Sequence, residues 1–480
     1  MTQSSRRDFL RHSGLALAAL APGARVPWYD ELRLAVVGVR GRGNDHIEGF
    51  RKLPGVRVVA LVDVDAKVLA AAAKKFVDRG EEVATFTDLR QALDRKDIDT
   101  VSIATPNHWH SLQGIWACQA GKDVYVEKPV SHNVWEGAQL VAASRKHGRI
   151  VAAGTQCRSS HGIADGIAWV RAGNLGRIRF ARGLCYKPRP SIGKVAGPQA
   201  VPAHIDYDLW TGPAPKKDLH RKQLHYDWHW DFDTGNGDVG NQGIHQMDLA
   251  RWALGESGLP RHTLSVGGRL GYDDDGNTPN TQLVWHDYAS APLLFEVRGL
   301  PHDRAAQAGD WGKGMDAFLD TRIGVVVHCE GGTLRIPDYT RAIAFDKDGK
   351  EIQRFAGATD HFANFVAAVK SRKVADLRAD VQEGHVSSAL CHLGNVSHQL
   401  GRTAGTKEIA AAIAEQADAA ATFERMVAHL GQNGVDLERT PLQLGALLVG
   451  DGTGAITAPA GASALLTREY RKGFEVPSLA

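Results

Sequence analysis

The sequence predicts an α/β fold that begins with a doubly wound parallel sheet. Two observations predict this sheet. From residue 31 to residue 154, short apolar runs rich in β-branched residues alternate with longer helical stretches. The first of these runs also leads directly into a glycine-rich turn. Parallel sheets of this kind bind ligands beyond the carboxyl ends of their strands, so we expect the functional residues on the loops that follow the strands.

The glycine-rich turn has the layout of a dinucleotide-binding site. The apolar run Leu32–Val37 precedes it, a helical stretch follows it from Asn44, and a second apolar run, Val56–Val62, ends at Asp63. Strand, glycine turn, helix and a later acidic residue together form the Rossmann fingerprint. The residues expected to hold the dinucleotide at this turn are Gly38, Arg40, Gly41, Arg42 and Gly43. The fingerprint has glycine where Arg40 stands, and a glycine turn without a ligand is the alternative interpretation.

Asp63 indicates which dinucleotide is bound. A carboxylate at this position hydrogen-bonds the hydroxyl groups of the adenosine ribose and repels a 2′-phosphate. The glycines let the backbone approach the pyrophosphate, and the N-terminus of the following helix offers N–H groups to its charge. The sequence therefore predicts NAD as the cofactor and disfavours NADP.

Two further loops follow predicted strands. The loop 105–110 follows the predicted strand 100–104, and Glu127-Lys128-Pro129 follows the predicted strand 123–126. A helix is expected from about residue 133 to residue 147, ending at Gly148, and the strand 150–153 closes the unit. The cofactor contacts expected after these strands are Thr105, Asn107, His110, Glu127, Lys128 and Gln156.

An ordered set of motifs resembles the glucose-fructose oxidoreductase/inositol dehydrogenase (Gfo/Idh/MocA) family. Glu127-Lys128-Pro129 matches the family's Glu-Lys-Pro signature, and residues 106–110 match its Pro-Asn-x-x-His loop. Further similar segments lie in the second half of the chain: residues 208–215, 240–248, 361–365, 384–385 and 393–395, of which the last three resemble an exported subgroup. The resemblance covers most of residues 31–405 and returns near residues 468–477.

The resemblance also implies how the chain is divided. Residues 31–154 would be the NAD-binding Rossmann domain. Residues 155–405 would be an α/β domain whose open, mostly antiparallel sheet carries one wall of the substrate site and an oligomer interface, so a dimer or tetramer is expected. Residues 406–480 contain an alanine-rich helical stretch and are interpreted as an extension and tail that pack on the body.

Hydride transfer from a carbinol sets the requirements for the catalytic residues. The hydroxyl proton needs a base, and a cation beside the developing alkoxide helps. Lys128, at a strand end on the nicotinamide side, can supply the cation, and His245, at the start of a predicted helix, is the candidate base. The resemblance implies catalytic roles for Lys128 and for the histidine of an Asp-x-x-x-His motif. Asn241 stands at the aspartate position here, which weakens the base, and Asp238 is an alternative carboxylate.

The run 225–233 interleaves histidine, aspartate and aromatic residues. His225 and His229 have the i, i+4 spacing of metal ligands, but the run lacks the HExxH glutamate and nothing fixes a third ligand. We therefore interpret it as a wall for a carbohydrate and predict no metal. The substrate contacts expected here and elsewhere are Arg158, Tyr226, His229 and Asp248. For Asp248, pairing with Arg251 is the alternative.

The first thirty residues have the layout of an export signal. Arg6-Arg7-Asp8-Phe9-Leu10 precedes a mildly apolar stretch from residue 14 to residue 21. The paired arginines resemble the twin-arginine signal, which implies the twin-arginine translocase as a partner and a periplasmic or other extracytoplasmic location. That route carries folded proteins with their cofactor loaded, so NAD is expected to be tightly bound. A basic N-terminus that signals nothing is the alternative.

Composition excludes several other classes of protein. The net charge of +3 is too small for a nucleic-acid or membrane-surface binder that works by bulk charge. No apolar run reaches the roughly 18 residues of a membrane span. The five cysteines form no CxxC pair, which argues against a disulfide framework and a zinc knuckle.

Three functions follow from this sequence. The leading one is an exported NAD-dependent oxidoreductase acting on a sugar, a cyclitol or a sugar derivative. The second is a redox-neutral glycosidase or lyase, in which transient oxidation acidifies a neighbouring C–H bond and elimination follows. The third is a catalytically silent sugar-binding protein. Asn241 favours the second and third, whereas Lys128 argues against the third.

Overall fold

The computed structural model of the chain describes residues 31–451 and 455–479. Two sheets organise these residues: a six-stranded sheet and a twelve-stranded sheet. The α/β class, with a parallel N-terminal sheet and a mostly antiparallel second sheet, is confirmed. The predicted export signal, residues 1–30, lies outside the described residues.

The first sheet is parallel throughout and has the strand order β3-β2-β1-β4-β5-β6. Its strands are β1 Leu32–Val37, β2 Val56–Val62, β3 Ala84–Phe86, β4 Thr100–Ile103, β5 Asp123–Val126 and β6 Val151–Ala153. The helices connecting them are Arg42–Arg51, Ala66–Val77, Leu89–Leu93, His110–Gln119 and Val134–Lys146. The direction of winding reverses between β1 and β4, and the crevice at such a switch point is where a ligand binds.

The helices of this domain begin in two different ways. Asp65 accepts hydrogen bonds from the N–H groups of Lys67 and Val68 and so caps Ala66–Val77. Asn133 caps Val134–Lys146 through the N–H of Glu136. By contrast, the helix Arg42–Arg51 begins at Gly41 without a side-chain cap. The N–H of its first residue, Arg42, is therefore left for another acceptor.

The second sheet has the order β14-β13-β12-β11-β7-β10-β9-β8-β16-β15, with β17 pairing β8 and β18. Among the described strands of this second sheet, only β7 and β10 pair in parallel; the other pairs are antiparallel. Its strands are β7 Ile178–Tyr186, β8 His262–Gly268, β9 Thr281–Asp287, β10 Leu293–Arg298, β11 Ile323–Cys329, β12 Gly332–Ile336, β13 Arg341–Asp346, β14 Glu351–Ala356, β15 Arg402–Ala404, β16 Leu442–Leu444, β17 Leu448–Gly450 and β18 Ile456–Ala458.

Helices cover both faces of this sheet. One core cluster joins the sheet to the helices His161–Arg171 and Gly243–Leu254, and another joins it to Ala417–Gln432. The remaining helices are Tyr207–Thr211, Gly237–Asn241, His361–Ser371, Val381–Gln399, Thr406–Ala412 and Ala462–Leu465. Within the described ranges, no helix is long and apolar enough to cross a membrane.

The C-terminal segment, residues 406–480, contributes strands to the second sheet. Strand β16 pairs with β8 and β15, and β17 pairs with β8, so residues beyond 405 complete the second sheet. Sequence analysis missed these strands because each has only three residues, which is too short to show alternation.

A long segment after β7 reaches back to the first sheet. We call residues 187–235 the strap. Asp65 and Ile205 form an isolated antiparallel bridge, and the N–H of Ala66 donates to the carbonyl of His204 at 2.9 Å. The strap therefore lies over the end of the first sheet at which ligands bind.

Candidate active site

One cavity of about 600 Å³ lies between the carboxyl edge of the first sheet and the strap. Its floor includes Asp63, which follows β2, and Lys128, which follows β5. These two strands are separated by β1 and β4, so at about 4.8 Å per strand the two residues lie roughly 14 Å apart. The strap supplies the opposite wall through Leu209, Trp210, Gln223, His225, Tyr226, Trp228 and His229. A cavity of this length suits an extended ligand.

The glycine turn fits a dinucleotide pyrophosphate. A Cβ atom on Gly43 would lie 1.6 Å from the carbonyl oxygen of Gly38, and Gly38 itself has φ +76°, so the tight turn requires both glycines. Gly38, Arg40, Gly41 and Arg42 line the cavity, whereas Gly43 packs beneath the turn. In the described part of the chain, the N–H groups of Gly41 and Arg42 donate to no acceptor. Free N–H groups at a helix N-terminus are the donors that bind a pyrophosphate.

Asp63 is fixed in place by the backbone. Its carboxylate accepts hydrogen bonds from the N–H groups of Val39 and Asp65, at 2.9 and 3.0 Å. Burial raises the pKa of Asp63, and the side chain still lines the cavity. The carboxylate therefore lies at the β2 end of the cavity, where an adenosine ribose is expected.

The loop after β4 lies in the middle of the cavity. Thr105, Asn107 and His110, which the sequence predicts to contact the cofactor, all line it. The His110 ring lies between the carbonyl oxygens of Thr105 and Pro129, at 2.7 and 2.6 Å, and so joins this loop to the loop after β5. Burial lowers the pKa of His110.

Glu127 is held by a network of its own. Its carboxylate accepts from Arg42 Nε at 2.7 Å, lies 3.1 Å from His46 Nε2 and accepts from the N–H of Lys128 at 3.1 Å. Burial alone would raise the pKa of Glu127, but His46 and Arg42 hold it well below its usual value. Glu127 therefore ties the glycine turn to the strand end that carries Lys128. Sequence analysis missed His46, because nothing in the sequence shows that this helix faces β5.

Lys128 points across the cavity floor to the second domain. Its Nζ donates to the backbone carbonyl of Asn241 at 2.7 Å. Burial lowers the pKa of Lys128, Glu127 opposes this, and the positive charges of Arg42 and Lys187 add to it. An ammonium group with a lowered pKa, held at the end of the cavity away from Asp63, is suited to stabilise an oxyanion or donate a proton.

Two family models match the chain. The oxidoreductase family, NAD-binding Rossmann fold model matches residues 32–155, and the oxidoreductase family, C-terminal alpha/beta domain model matches residues 178–274. Residues 32–155 and 178–274 thus match the two domains of the Gfo/Idh/MocA oxidoreductase family, in agreement with the two-sheet architecture. NAD is therefore its cofactor, in agreement with the free N–H groups of the glycine turn.

Curated relatives and solved structures give further similarities. The chain is 33% identical over 168 residues to "Glycosyl hydrolase family 109 protein 2" of Shewanella sp. strain ANA-3, which is 29% of this chain and 37% of that protein. It is 31% identical over 160 residues to a family 109 protein of Saccharopolyspora erythraea, 32% of this chain and 35% of that protein. The match thus spans little more than a third of these relatives.

Among solved structures, the fold is similar to the WlbA dehydrogenase from Bordetella pertussis in complex with NADH and UDP-GlcNAcA. The TM-score is 0.55 at 18% identity, over 76% of this chain and 95% of that chain. An oxidoreductase domain protein from Kribbella flavida is similar with a TM-score of 0.54 at 19% identity, over 76% of this chain and 96% of that chain. At these identities the similarity concerns the fold.

His245 lies behind the cavity wall. It is only 4% exposed, is absent from the cavity lining and packs near the ring of Tyr339, with 5.2 Å between ring centroids. Burial, with the positive charge of Lys128, lowers the pKa of His245 to about 3. Within the described ranges its Nδ1 has no hydrogen-bond partner, so the expected bond to Asn241 is not formed. This corrects the sequence-based pairing of Asn241 with His245.

Asp238, the alternative carboxylate partner for His245, binds Arg189 instead. Its two oxygens accept from Nε and Nη2 of Arg189, both at 2.6 Å. Asn241 itself lines the cavity, and its carbonyl accepts from Lys128. The second domain therefore presents Asn241, and not a carboxylate, beside Lys128.

Arg158 and Asp248 form a buried ion pair and do not line the cavity. Arg158 Nε and Nη2 donate to the Asp248 carboxylate at 2.8–3.0 Å, and Arg158 also pairs with Glu383 at 2.9 Å. This corrects the expectation that these two residues bind substrate: their polar atoms are occupied by each other. Arg251 lies 3.7 Å from Asp248, as the alternative interpretation expected. Gln156 is half-buried and also lies outside the cavity lining.

Tyr226 and His229, which the sequence predicts to contact the substrate, line the cavity. The His229 ring stacks on Trp228 with 3.6 Å between ring centroids, and burial lowers its pKa to about 3. Tyr226 is 46% exposed, and its hydroxyl accepts from Arg189 Nη1 at 3.4 Å. His225 pairs with Asp65 instead, at 2.9 Å. No group of three or more His, Cys, Asp or Glu residues in the described ranges is arranged to hold a metal ion.

Proposed function

We propose that this protein is an NAD-dependent enzyme that acts on a carbohydrate by hydride transfer at a carbinol carbon. One observation carries the proposal: Lys128, which donates to Asn241, shares one cavity with the glycine turn and Asp63. When bound, NAD supplies the hydride acceptor. The β5 end of the cavity is then the place for the reacting hydroxyl, because the β2 end is expected to hold the adenosine ribose.

The residues at this end have separable roles. Lys128 orients the hydroxyl and stabilises the charge that develops on its oxygen. The strap presents the stacked rings of Trp228 and His229 and the exposed ring of Tyr226, which suit the C–H faces of a sugar. His245 is too deeply buried to take a proton directly from the substrate, so the hydroxyl proton passes to water at the open side of the cavity as the hydride leaves the carbon.

A redox-neutral glycosidase or lyase is the second candidate function. Two observations favour it: the curated relatives are named glycosyl hydrolases, and the strap forms one wall of the cofactor cavity, which hinders exchange of the cofactor after each turnover. In this reaction, oxidation acidifies the C–H bond next to the new carbonyl, the proton leaves and the glycosidic oxygen departs from the adjacent carbon. Addition of water and return of the hydride complete the cycle with no net redox change.

One experiment tests both candidates. The purified enzyme is incubated with a panel of free sugars and with their aryl glycosides, and absorbance at 340 nm is recorded beside aglycone release. Net oxidation gives a lasting rise at 340 nm with free sugars, whereas redox-neutral cleavage releases aglycone without one. An enzyme that gives neither signal, even transiently, would contradict hydride transfer. Lys52→Met, an exposed lysine outside the cavity, is the control for protein quality.

Cofactor preference and assembly state are part of the same proposal. Asp63 supports a preference for NAD over NADP, because its fixed carboxylate repels a 2′-phosphate. Calorimetric titration of the apoprotein should show that NAD binds more tightly than NADP, and equal affinities would contradict this role of Asp63.

A dimer or tetramer is also proposed, on the family resemblance, and light scattering would test the oligomeric state.

Export by the twin-arginine route is proposed on the pattern Arg6-Arg7-Asp8-Phe9-Leu10 alone. In a bacterial host, the wild-type protein should be found in the periplasmic fraction. A variant carrying Arg6→Lys and Arg7→Lys keeps the charge and should remain in the cytoplasm. Export of this variant at the wild-type level would contradict the assignment.

A further inference from the structure

A buried asparagine just beyond the strap holds one of the residues that line the cavity. Asn107 is buried at the cavity wall, and its Nδ2 donates to Oδ1 of Asn236 at 3.0 Å. Asn236 is buried as well, but it does not line the cavity. It can therefore influence a bound ligand only through Asn107.

The side-chain amide of Asn236 has one orientation that suits its neighbours. Its Nδ2 donates to the backbone carbonyl of His132 at 3.0 Å and lies 3.4 Å from Nδ1 of His392. A backbone carbonyl can only accept a hydrogen bond, so turning the amide by half a turn would bring two oxygens together. Burial lowers the pKa of His392 to about 3, so its ring is neutral and its Nδ1 is able to accept. Oδ1 of Asn236 is thereby fixed as the atom that faces Asn107.

Asn236 makes these contacts in place of a more usual one. It precedes the helix Gly237–Asn241, at the position where an asparagine side chain commonly accepts from the first N–H groups of the helix. Here the side chain makes no such bond. Its backbone carbonyl accepts from Nδ2 of Asn395 at 2.9 Å, which holds the main chain in place. The side chain is therefore committed to the first domain and not to its own helix.

The orientation of Asn236 decides which atom of Asn107 meets a ligand. Because Nδ2 of Asn107 is used by Asn236, its Oδ1 remains, and no group among the residues that the structure describes donates to it. This oxygen is accessible, so it faces the cavity that Asn107 lines. The cavity wall therefore offers a hydrogen-bond acceptor at this point.

The place of this acceptor along the cavity points to one part of the cofactor. Strand β4, which Asn107 follows, lies between β1, which leads into the glycine turn, and β5, which leads to Lys128. Neighbouring strands are about 4.8 Å apart. With the pyrophosphate at the glycine turn and the nicotinamide beside Lys128, the nicotinamide ribose is the part that lies over the end of β4. Its hydroxyl groups are hydrogen-bond donors.

We propose that Oδ1 of Asn107 accepts a hydrogen bond from a hydroxyl group of the nicotinamide ribose, and that Asn236 is the positioning residue that keeps this oxygen turned to the cavity. The inference rests on the proposed function for the direction in which NAD lies. An amide that turned freely would present its NH2 group as well as its oxygen, so the selectivity for a donor depends on Asn236.

The test compares NAD with two analogues that lack either the 2′- or the 3′-hydroxyl group of the nicotinamide ribose. The holoenzyme is equilibrated with an excess of NAD and one analogue at equal concentrations, separated from free nucleotide and denatured, and the two released nucleotides are counted by mass spectrometry. The wild type should hold about fivefold more NAD than one of the analogues, the effect of one hydrogen bond. The ratio concerns bound nucleotide only, so it does not depend on how much of a variant is folded.

Three variants separate positioning from a merely structural role. In Asn107→Ala the preference should disappear. In Asn236→Ala, and in the milder Asn236→Ser, it should fall below about twofold, because the amide of Asn107 can then turn. Asn433→Ala removes another buried amide, which lies outside the cavity lining, and should keep the wild-type ratio.

A wild-type enzyme that binds NAD and both analogues equally would overturn the contact. A wild-type ratio in both Asn236 variants, even with weaker retention of every nucleotide, would overturn the positioning role. The ratio needs no turnover, which separates it from the proposed function. No change at 340 nm with any sugar removes hydride transfer but leaves an observed ratio standing, whereas equal binding beside a normal 340 nm signal does the reverse.

Discussion

At the scale of single residues, the active site depends on how Lys128 is held. Its ammonium group is bound to a backbone carbonyl of the other domain at 2.7 Å, and the nearest carboxylate, Glu127, is occupied by Arg42 and His46. The lysine is therefore positioned without being neutralised. This is the condition under which an ammonium group contributes most to the stabilisation of a developing oxyanion.

Replacing Lys128 tests this role directly. Lys128→Met keeps most of the side-chain volume but removes the charge and the donor, so kcat should fall by about 10²–10⁴-fold. Binding of NAD should change little, because the glycine turn and Asp63 lie at the other end of the cavity. Steady-state kinetics and calorimetry measure the two effects, with Lys52→Met as the control. A wild-type kcat in Lys128→Met would remove this residue from the mechanism.

The pH dependence follows from the lowered pKa of Lys128. The protonated form is the active donor, so activity is lost as the pH rises through this pKa. Asn241→Asp places an anion beside the ammonium group and favours its charged form, by about one pKa unit or more. The basic limb of the pH–rate profile should therefore move to higher pH. Asn241→Ser alters the side chain without adding charge and should leave the limb in place; identical profiles for all three proteins would contradict the assignment.

At the scale of elements, the strap forms the wall of the cavity opposite the first sheet. It is fastened to the first domain by His225, which lies 2.9 Å from Asp65, and by Trp109, whose Nε1 donates to the carbonyl of Trp210 at 3.1 Å. The C-terminal tail holds it from outside, since Arg471 donates to the carbonyl of Gly212 at 3.0 Å. These contacts hold the strap against the cavity, so we expect them to slow the release of a bound ligand.

Weakening one fastening should therefore speed cofactor release. His225→Ala removes a hydrogen bond to a buried carboxylate, an interaction of about 1.5–3 kcal/mol, so NAD should dissociate at least about tenfold faster. His220→Ala, at an exposed position of the strap, is the matched control. Release is measured by rapid dilution and trapping of the freed nucleotide. Equal dissociation rates in His225→Ala and the wild type would show that the strap does not limit release.

The elements of the first domain could be predicted from the sequence more fully than those of the second. The β-branched runs, the glycine turn and Asp63 carry local patterns that report on fold and ligand together. The ion pair of Arg158 with Asp248 carries no such pattern, because its partners are 90 residues apart in the chain.

At the scale of the whole molecule, the cavity is built from both sheets and from the strap. The first sheet supplies the cofactor end, and the segment before the helix Gly243–Leu254 supplies Asn241. Contacts from both sheets and from the strap predict that NAD is retained between turnovers. Retention through dilution to nanomolar concentrations requires a dissociation constant well below micromolar, beyond about −8 kcal/mol.

The nucleotide content of the purified protein tests this claim most directly. The protein is dialysed extensively without added nucleotide and denatured, and the released nucleotide is identified and counted by mass spectrometry. We predict NAD or NADH in near-stoichiometric amount, and turnover that needs no added cofactor. Protein that contains no nucleotide and turns over only when millimolar NAD is added to the buffer would contradict this prediction.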